Sequence, residues 1–88
     1  MSERFFQFRS AQNQVVYIPL SRLLRVATNP KGASVAFFFE GNYAVNVETT
    51  TGQEAEVAKR YGGLISSGIS YNEIEIAPGK PGIAAVNI

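Results

Sequence analysis

Apolar and polar residues alternate most regularly in the middle of the chain. Ser34-Val35-Ala36-Phe37-Phe38-Phe39-Glu40 is a β-branched and aromatic run, Gly41-Asn42 interrupts it, and Tyr43-Ala44-Val45-Asn46-Val47-Glu48 alternates apolar with polar. Such alternation on both sides of a Gly-Asn break predicts a β-hairpin. Loop length then decides which side chains share a face. A two-residue turn sets Glu40 opposite Tyr43 and Phe37 opposite Asn46. A three-residue loop, Glu40-Gly41-Asn42, sets Phe39 opposite Tyr43, Phe37 opposite Val45 and Val35 opposite Val47, gathering six large apolar side chains on one face. A one-residue slip moves a strand's whole apolar set to the other side of the sheet, so the three-residue loop is the expected register. Asn42 or Gly41 then takes the positive φ that such loops need. Phe38 points the other way, beside Ala36 and Ala44, as in a sheet with two partly covered faces or one exposed Phe.

The flanking segments supply further elements. Residues 4–9, Arg4-Phe5-Phe6-Gln7-Phe8-Arg9, predict a strand with Phe6 and Phe8 on one face. Residues 14–18 predict another, stopped at Pro19, which has no N–H to give to a ladder. Leu20-Ser21-Arg22-Leu23 fits either a single helical turn or a bulge, and 24–28 resumes as a strand. Asn29-Pro30-Lys31-Gly32 carries the residues of a type I turn, so Leu24–Glu48 forms a three-stranded meander. Thr51-Gly52-Gln53-Glu54 matches a capping box and opens a helix over 52–66. Val57, Ala58, Tyr61, Leu64 and Ile65 form its apolar stripe, and Gly62-Gly63 weakens its last turns. A strand over 70–77 places Asn72, Ile74 and Ile76 on one face. Pro78-Gly79 is set for a type II turn, and 83–88 is a closing apolar strand. Such a strand is a bare edge unless barrel closure or a second subunit covers it.

Composition narrows the class. At 88 residues the chain is one domain, mainly β with one inserted helix: a small, strongly bent antiparallel sheet or open barrel. It has no cysteine, so disulfides and thiolate metal sites are excluded. A formal charge of +1 is too balanced to predict polyanion binding by itself. No apolar run approaches the roughly 20 residues that span a bilayer, and Met1-Ser2-Glu3-Arg4 does not open like a signal peptide. No membrane association and a cytoplasmic location are therefore expected.

Candidate chemistry is sparse. Without His, Cys or Asp, the usual general bases, nucleophile partners and metal ligands are missing. Ser66, Ser67 and Ser70 have no imidazole to activate them. Glu73 and Glu75 are placed to hold a hard cation, but a solvated outer face explains them more simply. Gly79-Lys80-Pro81-Gly82 has neither the spacing of a phosphate-binding loop nor a helix after it. No enzyme, cofactor or metal is expected. Single-stranded nucleic acid is the better candidate, because bases stack on aromatic rings while cations hold phosphates. Arg4 and Arg9 bracket three phenylalanines, Arg22 and Arg25 follow Tyr17, and Asn42 and Tyr43 sit at the hairpin tip. The plainer reading of Phe6 and Phe8 is core, with arginine stems covering its rim, and turn geometry alone accounts for Asn42.

The order of elements resembles small proteins of marine metagenomes and cyanophages described as having an Sm-like fold. Sm-like proteins are bent, five-stranded open barrels whose edge strands pair between subunits into rings, and many bind single-stranded RNA. Gly41 and Asn46 are similar to the Gly and the RNA-contacting Asn of their first motif, although the intervening acidic residue is missing. Lys80-Pro81-Gly82 is similar to the basic residue and Gly before their last strand. Their helix precedes the strands, whereas here it is inserted before the last two. The resemblance implies a homo-oligomer, with a ring as one form, and single-stranded RNA or DNA as partner. Arg22, Arg25, Asn42, Tyr43, Asn46 and Lys80 are the candidate nucleic-acid contacts, and Ile83, Ala85 and Val86 the candidate subunit interface. It also implies host-cell cytoplasm if phage-encoded, or a virion. The alternative is a phage structural or protein-interaction module with no nucleic-acid role.

Overall fold

Val35, Phe37 and Phe39 face Val47, Val45 and Tyr43 across the central hairpin, in the three-residue-loop register. Gly41 and Asn42 both take positive φ, 85° and 59°. All of these apolar side chains except Tyr43 are buried. The fold was obtained as a computed structural model, which describes residues 4–29, 31–66 and 73–88. The expected strand residues 70–72, Pro30 of the predicted turn, Ser67 and Ser70, and the side chains of Leu64, Ile65, Ser66 and Glu73 lie outside this description.

The described strands are β1 (Phe5–Arg9), β2 (Val15–Pro19), β3 (Leu23–Asn29), β4 (Ser34–Phe39), β5 (Tyr43–Thr49), β6 (Glu73–Ile76) and β7 (Ile83–Asn87). One helix, α1 (Glu54–Ser66), lies between β5 and β6. The fold is thus mainly β with one inserted helix, as the sequence predicts. The sheet, however, is divided in two: β2-β1-β6 and β3-β4-β5-β7. Pairing is antiparallel except between β1 and β6, which run parallel, Phe6 beside Ile74 and Phe8 beside Ile76. The path through α1 supplies the long crossover that a parallel pair requires.

Each edge strand of the smaller sheet leads along the chain into an edge strand of the larger one. β2 passes into β3 through a single 3-10 turn, Leu20–Arg22. The Leu20 N–H donates to the Arg4 carbonyl (2.9 Å), and the Glu40 N–H donates to the Arg22 carbonyl (3.0 Å), binding this corner to both sheets. β6 passes into β7 through the type II turn that Pro78-Gly79 predicts. Gly79 has φ 95°, and the Lys80 N–H donates to the Ala77 carbonyl at 3.2 Å. The two sheets are therefore closed on each other by chain corners, without a continuous ladder. The predicted turn at Asn29–Gly32 is closed by the Gly32 N–H, which donates to the Asn29 carbonyl at 3.2 Å.

Between the sheets lie Phe6, Phe8, Phe37, Val35, Val45, Val47, Ile74, Ile76 and Val86. Phe6 and Phe8 stack at 5.4 Å and meet Phe37 and Phe39 edge-on at 5.4–5.9 Å. Burying each ring contributes about 1.5–3 kcal/mol, so this cluster is the chief apolar contribution to the fold. Val57 and Tyr61 bring α1 onto the same core, which carries the helix through Gly62-Gly63 to Ser66.

The helix does not start as a capping box. Thr51 and Gly52 are the middle of a turn, with Gly52 at φ 86° and the Gln53 N–H bonded to the Thr50 carbonyl at 3.0 Å. Gln53 takes the capping position, its carbonyl accepting the Val57 N–H at 2.9 Å. The buried Glu54 carboxylate instead reaches back to the Gly52 N–H at 3.4 Å.

Candidate nucleic-acid interface

Both edges of the larger sheet carry a bulge. In β3, Leu23 pairs with Phe39 and Arg25 with Phe38, leaving Leu24 extra. In a regular strand Leu23 and Arg25 would share a face, because side chains alternate. The extra residue shifts the phase. Leu23 and Val26 both pack against the core, and Arg25 lies on the outer face. There its guanidinium carbon sits 4.3 Å from the centre of the Phe38 ring. Phe38, half-buried and aimed away from the core, is the residue that alternation sets beside Ala44.

This placement makes a cleft of about 410 Å³ at the hairpin tip, lined by Leu24, Arg25, Phe38, Asn42, Tyr43 and their neighbours. Leu24 keeps 64% of its surface exposed, so with Phe38 and Arg25 the cleft offers ring, alkyl and guanidinium surface together; Tyr43, 38% exposed, borders it with its ring 6.3 Å from that of Phe39. The positive φ of Asn42 turns its backbone at the rim. A concave site with aromatic and cationic surfaces is suited to a flat, negatively charged ligand.

Three of the six expected contact residues, Arg25, Asn42 and Tyr43, thus meet in one cleft. Arg22 is exposed at the end of the 3-10 turn and is not part of the lining. Asn46 is exposed on the same outer face, across from Ala36 on β4 and Asn87 on β7. Lys80 belongs elsewhere, in a cleft with Arg9, where its Nζ lies 3.1 Å from Glu75 Oε1. Phe6 and Phe8 are core residues. Leu24 and Phe38 are the lining residues that the sequence left without a role. The three-residue spacing of Leu23 and Val26, which breaks alternation, is the signal that could have shown the bulge.

At the other edge, Ile83 and Val86 are 5% and 4% exposed, inside the protein's own core. Ala84 is the extra residue there, and half-buried Ala85 lies opposite Glu48. Of the expected interface residues, then, two have side chains already packed within the chain. Among the described residues β7 pairs only with β5, which leaves its other backbone side as an edge.

No group of three or more metal-ligating side chains comes together among the described residues. No described helix is long and apolar enough to cross a membrane. No protein family, curated protein or solved structure matches the chain. What the fold defines is a small, mostly β member of the α+β class with a cleft at one hairpin tip.

Proposed function

We propose that this chain is a non-catalytic module that holds single-stranded nucleic acid, RNA foremost, at the hairpin-tip cleft. The observation that supports this reading is the Arg25–Phe38 stack, 4.3 Å from cation to ring centre, in one cleft with Asn42 and half-exposed Tyr43. A base stacks on the Tyr43 ring or on the guanidinium plane, which Phe38 holds flat. The guanidinium N–H groups that remain at the edge of that plane donate to a phosphate. Asn42 offers an amide to a base edge, and Asn46 lies on the same outer face. The Sm-like relation belongs to this proposal: the sharp passage of β2 into β3 supports it, while the parallel β1–β6 pair departs from it. So do homo-oligomerisation and a cytoplasmic or virion setting.

Fluorescence anisotropy with labelled single-stranded RNA and DNA, across a salt series, tests the proposal on protein whose mass is fixed by light scattering. Phosphate-dependent binding weakens steeply as salt rises. Absence of binding at low salt sinks it. A second reading, assembly through the outer edge of β7 in a structural particle, is favoured by the side of β7 that has no strand partner among the described residues. It predicts an oligomer that ignores salt and nucleic acid alike.

A further inference from the structure

A second cleft, about 610 Å³, opens between the turn after β1 and the turn after β6. Its charged lining is Arg9, Lys80 and Glu75; the rest, including Ser10, Asn13 and Gly79, is neutral. Glu75 holds both cations at once: Oε2 lies 3.3 Å from the Arg9 guanidinium and Oε1 lies 3.1 Å from Lys80 Nζ. One carboxylate thus spans two cations with an oxygen on each, and among the described residues the cluster keeps a net charge of +1.

We propose that this cleft binds a phosphate monoester or inorganic phosphate, and that Glu75 occupies the two cations as an internal stand-in for it. The proposal is independent of the hairpin-tip reading. Three features support it. First, two cations set to take two oxygens of one anion are what a tetrahedral dianion needs, and the Lys80 ammonium has N–H groups beyond the one used on Glu75. Second, the neutral lining adds donors. Ser10 is only 5% exposed, and its Oγ accepts the Gln14 N–H at 3.2 Å, which leaves its O–H to donate. Asn13, held at φ 62° by its N–H bond to the Ser10 carbonyl (3.0 Å), adds an amide. Third, the walls are tied down. The Lys80 N–H and the Ser10 N–H are spent inside their own turns, so recognition falls to side chains on two stiff loops. A dianion outcompetes the singly charged Glu75 for the two cations, and Glu75 swings into solvent, to which its side chain is already one-third exposed.

The test is titration with inorganic phosphate at constant ionic strength, followed by amide and side-chain NMR shifts, with chloride as control. A second titration with glycerol phosphate distinguishes the free ion from a phosphate carried on a small molecule. Saturable shifts confined to Arg9, Ser10, Asn13, Gly79 and Lys80 are expected. Glu75→Gln removes the stand-in and should tighten phosphate by about tenfold, the scale of one charge-assisted hydrogen bond. Lys80→Ala, at an exposed turn, should abolish saturation while leaving the melting temperature nearly unchanged. Shifts that chloride reproduces, or a Glu75→Gln protein that binds phosphate no better than the original, overturn the proposal. If Glu75→Gln fails to fold, Lys80→Ala still decides: saturable binding that survives it overturns the site.

Discussion

Arg25 stacks on Phe38, 4.3 Å from its guanidinium carbon to the ring centre, on the side of the sheet away from the core. The pair is set by a bulge one residue earlier, and it joins the edge strand β3 to the hairpin tip. Cation–ring contacts at exposed sites are worth about 0.5–1 kcal/mol, too little to matter much for folding. Arg25→Ala should therefore lower the melting temperature by only a few degrees while weakening binding to single-stranded RNA about tenfold, the loss of one stacking or phosphate contact. Equal binding by the two proteins in anisotropy would falsify the hairpin-tip reading.

Val86 is 4% exposed and faces Val47 inside the core. Val86→Lys places a charge there without a partner, so it should destabilise the fold by roughly 3 kcal/mol or more. Loss of an oligomer in that variant would report unfolding, not a broken interface. Ala85→Lys, on the outer face of the same strand, separates the two. Circular dichroism should show it folded, and sizing then reads whether β7 pairs between subunits.

Gly82 has φ 81°, and a Cβ built there would lie 2.9 Å from Val57 Cγ2. Gly82→Ala carries both a strained backbone and a clash with α1, and should cost about 1–3 kcal/mol in urea unfolding. Combining it with Val57→Ala removes the clash but not the strain. The double variant should therefore lose less than the two single losses summed. Strict additivity would mean that the helix does not press on this turn.

Burial pushes the Tyr61 phenol above its ordinary value, opposed by the nearby charges of Arg60 and Lys80. A raised folded-state value means that the native protein keeps this proton when the unfolded chain has begun to lose it. The stability Tyr61 contributes is then complete below pH 10, its unfolded value, and falls as pH rises through the folded value. Thermal melts between about pH 9 and 11.5 should show a decline that Tyr61→Phe makes shallower. An identical decline in both proteins would place the alkaline sensitivity elsewhere.

Phe37 is fully buried, with Phe6 and Phe8 around it and Tyr61 at 6.4 Å. Phe37→Ala should cost about 3–5 kcal/mol, enough to unfold much of a domain this small at 37 °C. Phe38→Ala, one residue along on the outer face, should cost less than half of that in the same denaturant titration. Comparable losses would contradict the register of the central hairpin.

Much of the local structure could be read from the chain because its causes lie within a few residues. Of the two loop lengths the hairpin allows, only the three-residue loop puts the side chains of Val35, Phe37 and Phe39 on one face with those of Val45 and Val47, and turns close at Asn29–Gly32 and at Pro78-Gly79 where their residues predict them. The two-sheet architecture could not be read in this way. The parallel pairing of Phe6 with Ile74 and of Phe8 with Ile76 joins segments at opposite ends of the chain, and no local pattern names a distant partner. The inward turn of Ile83 and Val86, which the sequence left as a bare apolar edge, follows from the bulge at Ala84 and the core waiting beneath it. The capping box failed for a related reason: Thr51 and Gly52 were drawn into the turn that brings the Thr50 N–H to the Gly82 carbonyl, 3.0 Å away. Both clefts were beyond the sequence as well. Arg25 reaches the outer face beside Phe38 only through the bulge at Leu24, and Arg9 meets Lys80 through Glu75 only once β1 pairs with the distant β6. Periodicity assigns a side chain to a face; which other side chains share its site depends on contacts between segments far apart in the chain, and packing alone supplies them.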